Sequence, residues 1–486
     1  MDSAVTTAEP ESAPMRRVAA ACLVGSAIEF YDFLIYGTAA ALVFPTVFFP
    51  HLSPTVAMVA SMGTFATAFL SRPLGAAVFG YFGDRLGRKK TLIATLLIMA
   101  VSTVTVGLVP STSAIGVAAP PSLVALRLLQ GFAVGGEWAG SALLSAEYAP
   151  PGRRGRYGMF TLLGGGTAAV LTSLTFLGVN FTIGEHSPAF MQWGWRIPFL
   201  ISAALIGIAL YVRLNIDETP VFAEEKARNL VPEAPLAELL RLQRREIVLA
   251  GGSILGALGF VYMGNTYLTM YAHSHLGYSR SFIWSVGAVA GVVSITSVAL
   301  SASLCDRVGR RRMMLLGWAG CLPWSFAVIP LMDTGKPVLY AVAIIGMFAI
   351  AGIGSGPTGA FIPELFATRY RYSGSALAVN LAGIFGSALP PLIAGTLQAT
   401  YGGWAIGLML GILSAASLVC TYQLPETNGT ALRSTRGPGV AEALSDLEVP
   451  GGGRDSVCVQ VLVQRYAPTV AGHHFDGPGD RIAPEQ

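Results

Sequence analysis

Charged residues are scarce in this chain. Of its 486 residues only 12% are Asp, Glu, Lys or Arg, whereas 53% are hydrophobic. A soluble protein would carry about twice that share of charge, so the composition excludes a soluble globular fold. The apolar residues fall in blocks long enough to cross a bilayer, for which roughly 20 residues suffice. Together with 57 glycines, which let membrane helices pack closely, this predicts an all-α protein embedded in a lipid bilayer.

Cysteine and histidine are sparse too. The five cysteines make no Cys-x-x-Cys or Cys/His spacing, which argues against a disulfide framework and against a metal centre. The sequence shows no nucleophile–base pair of the kind that would indicate an enzyme. The first 15 residues are polar and lack the charged region, short apolar core and cleavage site of a signal peptide. The apolar run from Val18 is therefore expected to be a retained span.

Apolar blocks separated by charged or Pro/Gly-rich breaks predict twelve membrane-spanning helices. Their predicted ranges are 18–44, 57–82, 91–110, 122–146, 157–182, 195–214, 247–272, 281–303, 313–332, 337–358, 373–398 and 403–423. The predicted domains are an N-terminus (1–17), a first six-helix bundle (18–214), a linker (215–246), a second six-helix bundle (247–424) and a tail (425–486). The tail is polar and rich in Gly and Pro, so it is expected to be disordered.

The basic residues lie almost wholly on one side of this arrangement. With a cytoplasmic N-terminus, the loops on the cytoplasmic side carry 18 Lys and Arg residues, and the opposite loops carry only Arg280 and Lys336. Short loops rich in Lys and Arg stay in the cytoplasm. Both termini are therefore predicted to be cytoplasmic.

Two loop motifs occur twice, at matching positions. GDRLGRKK (83–90) follows the second predicted helix and CDRVGRRR (305–312) follows the eighth. SAEYAPPGRRGRYG (145–158) follows the fourth and PELFATRYRYSG (363–374) follows the tenth. The offset of about 220 residues indicates duplication of a six-helix unit. Parallel repeats of this kind place a binding site near the middle of the membrane, between the two halves.

The loop motif and four longer stretches carry a family resemblance. The stretches are GSAIEFYDFLIYGTAAALVF, SRPLGAAVFGYFGDRLGRKK, RLLQGFAVGGEWAGSALLSAE and WGWRIPFL. Over residues 15–424 the chain resembles the major facilitator superfamily and, within it, the metabolite–proton symporters of bacterial inner membranes. It looks closest to the group of shikimate, proline/betaine and oxoglutarate permeases. The resemblance implies a twelve-helix fold in two repeats, a small carboxylate as substrate, and a proton gradient in place of any cofactor. We expect a monomer in a bacterial cytoplasmic membrane, with no nucleic-acid partner.

Four charged residues are expected deep in the membrane. At a rise of 1.5 Å per residue, Glu29, Arg72 and Glu137 all lie about 14–16 Å from the cytoplasmic face, on three different helices. Asp32 follows Glu29 at i+3 and is expected on the same helix face. Because a charge at that depth costs a few kcal/mol, these side chains are expected to face a shared polar space rather than lipid.

The fourth predicted helix adds a polar stripe. Its members recur at steps of three and four residues: Arg127, Gln130, Val134, Glu137, Ser141 and Ser145. Residues at this spacing share one side of a helix. Since lipid-facing positions could not carry so many polar groups, this side is predicted to line the cavity.

These residues together predict coupled transport. An arginine is permanently charged and can hold a carboxylate bidentately, and a neighbouring carboxylate can exchange a proton. The predicted proton-coupling residues are Asp32, Glu29 and Glu137, with Asp32 preferred. The predicted substrate-binding residues are Arg72, Arg127, Gln130, Tyr262, Asn265 and Asn380. The alternative is that the charges form ion pairs that only hold the helices in register, and that the aromatic residues are packing.

A second set of charges lies at the cytoplasmic helix ends, too far from the middle to bind substrate. As is inferred for the superfamily, it is predicted to close that side through ion pairs. The members are Asp84, Arg85, Arg88, Lys89, Glu147, Asp306, Arg307, Arg310 and Glu364. The alternative is that the basic residues only fix the topology.

Import of a small organic acid or zwitterion by proton symport is the favoured function. A proline/betaine symporter stays open as a substrate variant, although the tail lacks the heptads of the coiled coil expected there. A drug/proton antiporter is disfavoured because GMFTLLGGGTAAV (158–170) lacks the Gly-Pro motif of such antiporters. A sensor is disfavoured because the tail offers no signalling domain.

Overall fold

The computed structural model describes residues 12–86, 88–150, 152–184, 187–214, 235–367 and 370–429. Every regular element in these ranges is a helix, and we number the twelve long apolar segments α1 to α12. Most of the predicted linker and almost the whole predicted tail lie outside the described residues.

The first six segments form one half of the molecule. They are α1 (Ser12–Leu42), α2 (Pro54–Leu86), α3 (Arg88–Leu108), α4 (Ala119–Val134, continuing as Glu137–Tyr148), α5 (Arg154–Ile183) and α6 (Ile197–Leu214). The short helices between them are Phe44–Phe48, Thr112–Ile115, Gly116–Ala118, Pro188–Gln192 and Gly194–Arg196. The break in α4 falls at Gly135 and Gly136, directly before Glu137.

The last six segments form the other half, after a short helix Pro235–Leu242. They are α7 (Arg244–Gly252, Leu255–Asn265 and Tyr267–Ser274), α8 (Arg280–Val308), α9 (Arg310–Asp333), α10 (Pro337–Ser355 and Thr358–Glu364), α11 (Arg371–Gly383, Ile384–Ala388 and Leu389–Tyr401) and α12 (Trp404–Gln423). The middle piece of α11, Ile384–Ala388, is π-helical.

Eleven of the segments are long and apolar enough to cross a membrane by themselves, and α7, bent by 41° after Gly252, makes the twelfth when counted as one span. The predicted all-α membrane architecture is confirmed. Several helices extend further than predicted: α1 begins at Ser12 rather than at residue 18, α8 ends at Val308 rather than at residue 303, and α10 ends at Glu364 rather than at residue 358. The predicted linker contains the helix Pro235–Leu242, which forms because it buries Leu239 against the bundle.

The two halves contact each other chiefly through helix pairs α5–α8 and α2–α11. α5 and α8 run antiparallel and meet along their whole length. Midway, a Cβ placed on Gly166 would lie 3.0 Å from the carbonyl oxygen of Gly291, so two glycines let the backbones touch. At one end of the pair, Asn180 donates to Ser281 at 2.6 Å. We call that end of the molecule the distal end and the opposite end, which carries Arg154 and Arg310, the basic end.

Within the first half, glycines bring α2 and α4 into backbone contact. A Cβ on Gly131 would lie 1.9 Å from the carbonyl oxygen of Ala68, and a Cβ on Gly75 would lie 1.9 Å from that of Phe132. No real Cβ fits at such a distance. This close approach brings the charged residues of α2 and α4 to one level of the bundle.

We predict that Gly131→Ala destabilises the protein while Gly63→Ala, on the partner helix, does not. The first substitution forces the backbones of α2 and α4 apart, which should lower the free energy of unfolding by about 1–3 kcal/mol. Gly63 has no atom within 4 Å of the added Cβ, so its change should stay within about 0.5 kcal/mol. Thermal unfolding of both purified variants in detergent measures the difference. Equal melting temperatures would contradict the inferred contact.

Candidate functional site

A central cavity lies between the two halves, midway along the helices. It has an empty volume of ≈ 1170 Å³, including the space at its mouth. The first half contributes the charged side chains Glu29 and Arg72, together with Trp138. The second half contributes a mostly apolar wall from α7, α8, α10 and α11, with a few hydroxyl and amide groups: Tyr262, Ser294, Ser355, Thr358, Asn380 and Ser387. The cavity therefore has one charged side and one largely apolar side.

Arg72 and Arg127 are held among aromatic rings of α1 and α2. The guanidinium carbon of Arg72 lies 4.1 Å from the ring centre of Phe33 and 4.3 Å from that of Phe69. The guanidinium carbon of Arg127 lies 4.0 Å from the ring centre of Tyr36 and 4.6 Å from that of Phe33. Such cation–π contacts contribute about 2 kcal/mol each when they are shielded from water. Phe33 touches both cations, so it connects the arginine at the cavity to the arginine behind it.

We call the four rings around the two cations the aromatic layer: Phe33, Tyr36, Phe65 and Phe69. Sequence reasoning missed it, although the spacing contains a signal. Glu29, Phe33 and Tyr36 stand at i, i+4 and i+7 on α1, and Phe65, Phe69 and Arg72 stand at the same spacing on α2. Each set is one stripe of a helix, and in the second set a permanent cation, Arg72, continues the row of rings. That combination indicates a cation held against aromatic faces.

Asp32 and Arg127 are the two ends of a buried hydrogen-bond chain. Arg127 donates to Gln130 Oε1 at 2.5 Å, Gln130 Nε2 donates to Thr103 Oγ1 at 2.8 Å, and Thr103 donates to Asp32 Oδ2 at 2.9 Å. Ser202 of α6 donates to the other carboxylate oxygen, Oδ1, at 2.5 Å. All five side chains are fully buried. The chain therefore connects a carboxylate and a guanidinium through two neutral groups, within the first half alone.

Glu29 and Asp32 do not share surroundings, contrary to the expectation from their i, i+3 spacing. Glu29 lines the cavity, whereas Asp32 turns into the first half, where it meets α3 and α6. Residues three apart differ by about 60° around a helix, and at this position that angle separates the cavity from the interior of the bundle.

The predicted polar stripe of α4 is buried as a whole, but only Val134 of its six members lines the cavity. The others whose partners are described contact their own half. Ser141 lies 3.0 Å from Thr161 and Ser145 donates to the carbonyl of Tyr157 on α5. Buried polar groups need hydrogen-bond partners, and here neighbouring helices supply them in place of a water-filled space. The prediction that this side lines the cavity is wrong.

The predicted residues of the second half lie at different places. Tyr262 lines the cavity and packs against Phe65 and Phe69, with ring centres 6.0 and 5.3 Å apart. Asn380 also lines the cavity and donates to the carbonyl of Gly135 in the break of α4 at 2.6 Å. Asn265 is not part of the cavity wall and donates to its own helix, at Val261.

Three of the predicted gate residues come together at the basic end. Arg310 pairs with Glu364 and lies 3.4 Å from Asp306. Glu364 also lies 3.8 Å from Arg154 of the first half. Arg307 is exposed beside them. The side chains of Asp84, Arg85, Arg88, Lys89 and Glu147 lie outside the described residues.

Asp306 also caps a helix of the opposite half. Its two carboxylate oxygens accept the backbone N–H groups of Gly155 and Arg156, the start of α5, at 2.9 and 3.0 Å. The first N–H groups of a helix have no partner within it, and an acidic oxygen there is stabilising. Since the carboxylate comes from α8, the cap holds only while the halves are closed at the basic end.

Glu426, which follows α12, makes the equivalent cap within the second half. It accepts the N–H groups of Arg310 and Arg311 at 2.9 and 3.1 Å. The sequence pattern does not predict this role of Glu426 or the pairing of Arg154. An acidic residue after the last span is a candidate helix cap, but no spacing rule connects residue 426 to residue 310.

Among the described residues, no group of three or more His, Cys, Asp and Glu side chains could hold a metal ion.

Known proteins match the chain over most of its length. The Major Facilitator Superfamily matches residues 23–386. The inner membrane metabolite transport protein YhjE of Escherichia coli (strain K12) is 40% identical over 422 residues, which is 86% of this chain and 95% of that protein. The shikimate transporter of the same organism is 34% identical over 432 residues (86% and 97%). Its proline/betaine transporter is 30% identical over 463 residues (93% and 89%).

A solved structure shares the fold. The proton:xylose symporter XylE bound to 6-bromo-6-deoxy-D-glucose superposes with a TM-score of 0.71, covering 90% of this chain and 100% of that chain, at 19% identity. At that identity the likeness concerns the arrangement of helices only.

We predict that Thr103→Val destabilises the protein far more than Thr95→Val, although both threonines are buried on α3. Removing the Thr103 hydroxyl takes the hydrogen-bond partner from Oδ2 of Asp32 and from Nε2 of Gln130, at a cost of about 1–3 kcal/mol for each atom. The hydroxyl of Thr95 only donates to Leu92 of its own helix, so its loss should cost about 1 kcal/mol or less. Thermal unfolding in detergent compares the two. Equal losses of stability in the two variants would show that the hydrogen-bond chain from Asp32 to Arg127 contributes nothing to stability.

Proposed function

The chain belongs to the major facilitator superfamily, a family of membrane transporters rather than enzymes, and on that premise we propose that it imports a small organic acid or zwitterion by proton symport. The two halves would alternate access to the central cavity. Relatives named for shikimate and for proline/betaine support a substrate that bears a carboxylate, since each of those compounds has one. We further propose that the basic end faces the cytoplasm, which the positive-inside rule supports, and that one chain suffices as a monomer.

The position of Arg72 is the observation that carries the proposal. Its guanidinium lies on the charged side of a largely apolar cavity, and the rings of Phe33 and Phe69 hold it in position. A planar guanidinium binds a carboxylate through two parallel hydrogen bonds. In an apolar surrounding such a charged hydrogen bond is stronger than in water. A substrate carboxylate would therefore bind at Arg72, with its organic body against the wall of α7 and α10.

A zwitterion is the second candidate substrate class, and Glu29 supports it. It lines the same cavity as Arg72, so an ammonium group and a carboxylate of one substrate would each meet an opposite charge. Trp138, also in the wall, would offer a ring face to a quaternary ammonium group. An anionic substrate would need only Arg72. The role of Glu29 thus separates the two substrate classes.

We propose Asp32 as the proton-coupling residue. A proton arriving there changes the charge at one end of the hydrogen-bond chain that ends at Arg127. Arg127 and Arg72 are both in contact with Phe33. Protonation at Asp32 would therefore alter the electrostatic surroundings of Arg72, the cation proposed to bind the substrate, without any contact between the proton and the substrate.

We predict that Arg72→Lys raises the KM for uptake about tenfold or more, because a lysine ammonium cannot form the bidentate pair or the ring contacts. Arg241→Lys, on an exposed position of the basic end, is the matched control and should behave like wild type. The measurement is uptake into liposomes of shikimate, oxoglutarate, citrate, benzoate, proline and betaine. Glu29→Gln, tested on the same panel, should raise the KM for uptake of proline and betaine only. An unchanged KM in Arg72→Lys for every transported compound would refute the assignment.

We predict that Asp32→Asn abolishes substrate-dependent acidification of the liposome interior while exchange of substrate across the membrane continues. The amide keeps the size of the side chain and removes its ability to carry a proton. Internal pH and counterflow of labelled substrate are recorded on the same preparation, with Glu238→Gln as the control. Acidification that persists in Asp32→Asn would remove Asp32 from the proton path. Loss of both activities in a folded variant would indicate a structural role instead.

A further inference from the structure

Ser387 lies in the only part of α11 that departs from α-helical hydrogen bonding. In the piece Ile384–Ala388 the ladder is π-helical, and the N–H of Leu389 donates to Ile384, five residues back. The cause is readable in the sequence, since Pro390 and Pro391 follow and have no N–H to donate to the carbonyls of residues 386 and 387. Single π turns inside α-helices occur frequently at functional sites.

The Ser387 hydroxyl has no hydrogen-bond partner in the described part of the chain, although the residue is completely buried and lines the central cavity. Serines inside α-helices usually donate to the carbonyl three or four residues back. Ser355, on the same cavity wall, does so with Ala351 at 2.8 Å. Ser387, in the π turn, makes no such bond. A buried hydroxyl without a partner is destabilising, and a ligand that forms a hydrogen bond with it removes that cost.

The position of Ser387 complements that of Arg72. A Cβ placed on Gly383 would lie 4.0 Å from Nη1 of Arg72, so the cation faces α11 at that glycine. Ser387 follows four residues later, on nearly the same face and about 6 Å further along the helix axis. A carboxylate held by Arg72 would thus leave the rest of a small ligand beside the Ser387 hydroxyl.

We propose that Ser387 is a specificity-determining residue that hydrogen-bonds a second polar group of the substrate, about one helical turn (~6 Å) from the carboxylate. This rests on the proposed function, because it needs a carboxylate at Arg72. The substrate class that follows is a compact acid with an apolar body and a hydroxyl or similar group at the end opposite the carboxylate. Acids that lack this group leave Ser387 without a partner and bind more weakly.

The test uses pairs of acids that differ in the distant polar group. Benzoate and 4-hydroxybenzoate form one pair, and cyclohexanecarboxylate and 4-hydroxycyclohexanecarboxylate form the other. Binding to the purified full-length protein is measured by calorimetry for wild type, Ser387→Ala, Ser387→Cys and the control Ser325→Ala, a buried serine of α9 that donates to Cys321 of its own helix and does not line the cavity. Elution profiles and thermal unfolding establish that each variant is folded. Two substitutions at residue 387 guard against one that fails to fold.

In wild type and in Ser325→Ala we expect the hydroxylated member of at least one pair to bind about fivefold more tightly, the value of one hydrogen bond. In Ser387→Ala this preference should disappear while the affinity for the unhydroxylated member stays the same. A preference that survives in Ser387→Ala, or an equal loss for both members, overturns the proposal and leaves the proposed function standing. Wild-type protein that binds none of the four acids overturns the proposal for Ser387, and the uptake panel described above then decides separately whether the proposed function stands.

Discussion

Two guanidinium groups, those of Arg72 and Arg127, have to be accommodated midway across an apolar helix bundle, and much of the structure meets that requirement. Charges at that depth are costly, yet the aromatic layer offers ring faces that attract a cation without being polar themselves. Arg127 also donates to Gln130 and so reaches Asp32 through Thr103. Arg72 keeps its place at the cavity wall. Arg127 is thus held within the first half, whereas Arg72 faces the cavity between the halves.

Closure at the basic end uses a different principle. There the first half offers backbone N–H groups at the start of α5, and the second half supplies the carboxylate of Asp306. Arg310 and Glu364, both buried, hold that corner together with Arg154. The contacts of Asp306 with the start of α5 and of Arg154 with Glu364 join the two halves and are lost when the halves separate. The pairs of Arg310 with Glu364 and Asp306 lie within the second half and do not depend on closure.

α11 joins the cavity to the contact between the halves. Its first part carries Tyr372 and Asn380, which donate to the carbonyls of Gly136 and Gly135 at 2.5 and 2.6 Å. These carbonyls sit in the break of α4, directly before Glu137. Further along, the π turn holds Ser387 in the cavity wall. A substrate that moves against α11 would therefore act on the same helix that is hydrogen-bonded to the break in α4.

The sequence by itself determined the number of spans, the repeat and the depth of each buried charge, because length, hydropathy and a fixed rise per residue are local properties of a helix. It therefore placed Glu29 and Arg72 correctly at the level of the cavity. Only the tertiary structure decided which way each side chain faces. Asp32 differs from Glu29 by about 60° around α1, and the positions of α3 and α6 make that angle the difference between a cavity wall and a bundle interior. The caps made by Asp306 and Glu426 likewise depend on neighbours more than 100 residues away, which no helical period can reveal.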